Sequence, residues 1–187
     1  MNTSKEKSNS ISIKKPLIIA LFALFIIALI WVIVFKCNMN ETLHIESNLK
    51  KTIWERIQHN LIPFKLVFEK IAEGSVIELL ALIFNVVCFI PFGALLCFLT
   101  KQKTAILSGF LFSFCVEIFQ LFSGWGGIDF MDVVLNGFGT ILGVILYNLF
   151  FCKFPPKIVN VIAIVGLALV IPMDTFAIIN TILHFPI

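Results

Sequence analysis

Five apolar runs, each about as long as the chain needed to cross a bilayer, leave few folds open to this sequence. They occupy residues 16–35, 79–100, 104–122, 133–152 and roughly 158–178. A spanning helix needs about 20 predominantly apolar residues. In hydrocarbon the backbone must satisfy its own polar groups, which a helix does within a single segment. Charged residues make up 13% of the chain, about half the share usual in a soluble domain. They lie mostly between the runs rather than along amphipathic faces. The expected fold is all-α: an integral membrane helical bundle of about five transmembrane helices, with interfacial helices between the first and second.

The chain divides accordingly. Residues 1–15 form a tail and 16–36 a first anchor. An extracytoplasmic interfacial segment, 37–74, precedes a core of three transmembrane helices at 75–152, and residues 153–187 supply a fifth helix and a tail. The first run is longer than the 7–15 residues of a secretory signal core, so it reads as an uncleaved anchor. Pro172 and Asp174 mark the fifth run for a kink or an early end. Within the segment 37–74, Leu49, Ile53 and Ile57 recur every fourth residue beside Trp54, the pattern of a helix lying at the interface.

Lysine placement orients the bundle. Lys5, Lys7, Lys14 and Lys15 precede the first run, Lys101 and Lys103 fill the turn after the second, and Lys153 and Lys157 follow the fourth. The loop 123–128 has no basic residue. Basic residues gather in cytoplasmic loops, which places the N-terminus in the cytoplasm and the C-terminus outside. The segment 37–74 is the exception, with four lysines and Arg56 offset by five glutamates.

The cysteines stand scattered with no C-x-x-C pair, and the three histidines are isolated from one another. Neither set suggests a disulfide framework, a metal site or a cofactor. The small net charge of +3 points to no nucleic-acid partner.

Polar side chains inside the runs carry the functional information, because ionisable groups in hydrocarbon face a protein interior or a wet cavity. Residues three, four and seven apart share a helix face. Asp132, Asn136, Gly139 and Gly143 form one such stripe, Ser113, Glu117 and Gln120 a second, and Glu78 with Asn85 a third. With Asp129, these groups fall in the outward half of the bundle, so they predict a shared polar pocket open to the outside and closed to the cytoplasm. A pore would need polar lining along its length. Each residue also has a plainer reading. Asp129 can cap the fourth helix, with Asp132 closing a capping box. Gly139 and Gly143 suit close helix packing, Asn85 and Asn136 can bond between helices, and Pro91 with Gly93 can bend the second helix. Glu117 is the hardest to explain as structure alone.

These residues resemble the VanZ family over roughly residues 60–149. Four pieces match in order: Asn60-Leu61-Ile62-Pro63-Phe64, Asn85-x3-Phe89-Ile90-Pro91-Phe92-Gly93, Glu117-x2-Gln120, and Asp129-x2-Asp132-x3-Asn136-x2-Gly139-x3-Gly143. Family members often carry an Arg shortly before the first Asp of the last motif; here that stretch is Gly124-Trp125-Gly126-Gly127. The resemblance implies reduced susceptibility to teicoplanin-type lipoglycopeptides, with little effect on vancomycin, and carries no catalytic role. The expected partners are membrane lipids and either a lipoglycopeptide or a lipid-linked cell-wall precursor. A rival reading is an intramembrane enzyme on a lipid-linked envelope substrate with Glu117 and Asp132 as an acid–base pair. Export of a small molecule ranks below both.

Overall fold

The structure is a computed structural model that describes residues 12–34, 52, 54, 76–123 and 129–184. The expected interfacial helices of 37–74 lie outside the described residues, apart from those two positions. So does the side chain of Glu78.

Among the described residues there are five long helices and no strand: α1 (Lys15–Val34), α2 (Val76–Cys97), α3 (Gln102–Ser123), α4 (Phe130–Leu149) and α5 (Pro156–His184), with a 3-10 turn at Phe151–Lys153 before the last. Four are long and apolar enough to cross a membrane, and α2 contributes a shorter apolar stretch, Leu82–Cys97. Large apolar side chains such as Leu107, Leu111, Phe138, Val161 and Leu169 stand exposed along them, as expected of surfaces facing acyl chains. This is a multi-pass membrane protein. Helix α5 runs through Pro172 to His184 without stopping. A proline removes one backbone bond, and inside a bundle the neighbours make good that loss.

Helix α4 sits centrally, packed most closely on α2 and then on α3, while α5 pairs with α1. Glycine explains the tightest crossing. A Cβ placed on Gly139 would lie 2.2 Å from the Val86 carbonyl oxygen, one on Gly143 2.1 Å from that of Ile90, and one on Gly93 2.2 Å from that of Thr140. The two backbones touch where no side chain fits, the close approach that small residues permit in membranes. Pro91 stands exposed on α2, so Gly93 makes the contact at that level. Phe22, Phe89, Phe92 and Phe112 fill the space beside the crossing, with ring centroids 5.4–6.1 Å apart, the separation favoured by edge-on and offset rings. A second apolar cluster, Ile18, Leu21, Val159 and Ala163, joins α1 to α5.

The bundle has two unlike ends. At one, the Lys14 N–H donates to Asn160 Oδ1 (2.9 Å) and Asn160 Nδ2 to the Ser12 carbonyl (3.2 Å), so α1 and α5 start side by side. Gln102 Nε2 donates to Asn148 Oδ1 at 2.6 Å, tying the start of α3 to the end of α4. Lys14, Lys15, Lys101, Lys103, Lys153 and Lys157, all the described lysines, belong to this end. The acidic side chains Glu117, Asp129 and Asp132 lie at the other.

Candidate functional site

The acidic end is built where α3, the loop after it and α4 meet. Asp129 has extended backbone (φ −115°, ψ 102°), and its Oδ1 accepts the Met131 N–H at 2.8 Å. It is the N-cap of α4, as its plainer reading allowed. The capping box does not close in the usual way, however. The residue three positions on, Asp132, turns instead to α2, where Asn85 Nδ2 donates to its Oδ1. The Asp129 N–H is taken by Glu117 Oε2 of α3 at 2.7 Å. A carboxylate from a neighbouring helix thus does for α4 what the third residue of a capping box does locally.

This answers how Glu117 is accommodated. Its side chain is 2% exposed, and its oxygen faces the N-terminal end of α4, where free N–H groups and the helix dipole favour negative charge. Residues 124–128 of the sequence include no Arg, and the start of α4 supports the carboxylate.

One turn deeper, Asn136 Nδ2 donates to Ser113 Oγ at 2.8 Å, and Thr140 Oγ1 donates to the Asn136 carbonyl at 3.0 Å. Ser113, Asn136 and Thr140 are buried. The Asn136 Oδ1 is also buried and has no hydrogen-bond donor among the described residues. Glu117, Asn85, Asp129, Asp132, Asn136 and Ser113 therefore form one cluster across α2, α3 and α4.

Gln120 does not join it. Its Nε2 donates to the Ile33 carbonyl at 3.2 Å and satisfies the end of α1. Gly93, Gly139 and Gly143 belong to the crossing below. Thr140 and Asn160 escaped the sequence reading, and Asp174 entered it only as a mark of a kink or an early end. Thr140 bonds back to Asn136 from within the Gly139–Gly143 interval, and its position four residues after Asn136 was the available signal. Asp174 is buried on α5, and among the described residues neither of its carboxylate oxygens has a hydrogen-bond partner; a lone acid in the last apolar run was its signal. Among the described residues no three His, Cys, Asp or Glu side chains are placed to share a metal ion.

The cap gives a direct test. Asp129→Ala should lower stability by about 1 kcal/mol, the usual cost of losing an N-cap. Asp129→Asn should recover most of it, which thermal unfolding in detergent would read.

Fold and site together define a polytopic helical membrane protein organised around an acid–amide cluster at one end of the bundle. The VanZ/LLP1 family model matches residues 22–151. The match begins within α1, earlier than the motifs alone indicated. Protein VanZ of Enterococcus faecium is 33% identical over 133 residues, covering 69% of this chain and 72% of that protein. This chain belongs to the VanZ/LLP1 family. No solved structure matches it.

Proposed function

We propose that this protein lowers susceptibility to teicoplanin-type lipoglycopeptides from the bacterial plasma membrane, acting at the outer leaflet through the acid–amide cluster. The observation that carries the reading is the separation of charge between the bundle's ends. Lysines on the cytoplasmic side are the general rule, so the lysine end faces the cytoplasm and Glu117, Asp129 and Asp132 face outward. A lipid-tailed antibiotic and the lipid-linked precursor it binds both meet the cell at that leaflet. Family membership supports the same direction. The cluster would hold the polar head of such a molecule while its tail lies against the exposed apolar faces.

The test is expression in a susceptible Gram-positive host. Teicoplanin inhibitory concentrations should rise at least fourfold over the empty vector, while vancomycin values stay within twofold. An N-terminal reporter should report the cytoplasm and a C-terminal one the outside. No teicoplanin protection from well-expressed wild type would overturn the functional reading, and reversed reporters would overturn the outward cluster.

A further inference from the structure

The end of the bundle opposite the acidic cluster holds an open cleft of about 480 Å³. Its walls come from the last turn of α2, the turn into α3 with the start of that helix, and the last turn of α4. Lys101, Lys103, Thr100, Thr104 and Tyr147 line it. Gln102 Nε2 donates to Asn148 Oδ1 at 2.6 Å and fixes the start of α3 against α4. The Tyr147 ring stands edge-on to Phe98, with centroids 4.8 Å apart. The cleft is therefore framed by packed helices and open to whatever lies at this end.

The lining decides what it can hold. Lysine ammonium groups donate hydrogen bonds and cannot accept them, and the Thr104 and Tyr147 hydroxyls can donate as well. The Thr100 hydroxyl is already spent on the Leu96 carbonyl at 3.1 Å. Helix α3 begins at Gln102, so its first N–H groups lack acceptors within the helix, and the positive end of its dipole meets the cleft. Lys101, just before it, has no side-chain oxygen with which to cap them. At the start of α4 the protein supplies Asp129 and Glu117 for that purpose. Among the described residues no carboxylate lies at the lysine end.

An anion suits these donors, and the surroundings indicate which kind. Leu107 and Leu111 follow Thr104 at steps of three and four, on one face of α3, and both are exposed. Leu149 and Phe150, just after Tyr147, are exposed too. An apolar tail leaving the cleft has these surfaces to lie on, which a free phosphate would not use. Basic pockets between membrane helices commonly hold anionic lipid heads.

We infer that this cleft binds the phosphate head of an anionic glycerophospholipid. Lys101 and Lys103 pair with its charge, Tyr147 and the first N–H groups of α3 donate to its oxygens, and an acyl chain follows Leu107 and Leu111. A zwitterionic head binds more weakly, because its own cation meets the two lysines. The site is separate from the acid–amide cluster and rests on no part of the resistance reading.

The probes are phosphatidylglycerol and phosphatidylcholine with the same acyl chains, added in equal amounts to the full-length protein in detergent micelles at fixed ionic strength. Native mass spectrometry counts the bound lipid. Wild type should retain phosphatidylglycerol over phosphatidylcholine by about tenfold, since each lysine near an anionic head contributes about a factor of five. Lys101→Gln combined with Lys103→Gln should remove most of that preference. Lys153→Gln combined with Lys157→Gln takes the same charge from the same end, at residues that do not line the cleft. That pair should keep the preference within about twofold, because salt screens the more distant charges. All four lysines are exposed, so neither pair should disturb folding, which gel filtration checks. Tyr147→Phe keeps the ring and should lose about threefold, the worth of one hydrogen bond. Equal retention of the two lipids by wild type would overturn the inference. Equal losses in the two lysine pairs would overturn it too, by making the preference a property of the whole basic end. Excess glycerol 3-phosphate should leave the bound phosphatidylglycerol in place; displacement would assign the cleft to a soluble phosphate and overturn the lipid.

Discussion

Gly143→Leu is expected to abolish the folded protein rather than weaken it. The new Cβ would meet the Ile90 carbonyl at 2.1 Å and the Ala94 amide nitrogen at 2.9 Å. Both are backbone atoms in the middle of α2, and neither can swing aside as a side-chain tip would. Relief requires α2 and α4 to separate, which opens the cluster above and the phenylalanine packing beside it. Overpacking a tight core usually costs about 1–3 kcal/mol, and a backbone clash at the central crossing belongs at or above the upper figure. The measurement is monodisperse yield after detergent extraction. Gly143→Ala should be impaired too, because the clash is with the Cβ itself. Gly166→Ala is the control: its nearest neighbours are the methyl groups of Leu21 at 3.0 Å, which can shift, so near-normal yield is expected. If Gly143→Leu folded as well as Gly166→Ala, the close crossing would be wrong.

Glu117 should separate stability from function. In Glu117→Ala the Asp129 N–H loses the acceptor now 2.7 Å away, and a void opens where the side chain was buried. An unsatisfied buried donor costs about 1–3 kcal/mol, so this variant should be markedly less stable and lose protection with its abundance. Glu117→Gln keeps a carbonyl oxygen that can accept the same N–H and keeps the shape, but it removes the charge. It should fold to near wild-type yield while teicoplanin protection falls toward the empty-vector value. Asp132→Asn, at the Asn85 contact, should behave like Glu117→Gln. Full protection by Glu117→Gln at matched membrane levels would reduce Glu117 to an unusual helix cap.

The contrast between these two variants shows what was legible beforehand. The stripes on α3 and α4 follow from helical spacing, so Glu117 and Asp132 could be assigned to inward faces without a structure. Spacing says nothing of which neighbour a side chain reaches. Asp132 had two partners open to it, the cap of its own helix or another helix, and Asn85 of α2 took it. Gln120 shares Glu117's stripe, yet it serves the last turn of α1, since a helix end presents carbonyls with no partner in its own helix. Gly139 and Gly143 are a different case. Their spacing announced a close approach, and the crossing with α2 supplied the backbone they approach.

The sequence by itself determined the class of fold, the run of helices and the sorting of charges toward opposite ends. Those depend on apolar length and on lysine position, both properties of contiguous chain. Tertiary structure alone decided that Glu117 completes the cap of α4, that Asn85 claims Asp132, and that Asn136 donates to Ser113. Such pairings join residues 12 to 47 positions apart, and they are set by which helices pack together and at what height. Within hydrocarbon every helix here could meet any other at equal apolar benefit. Small residues and polar contacts therefore chose the neighbours, and only the assembled bundle shows which choice was made.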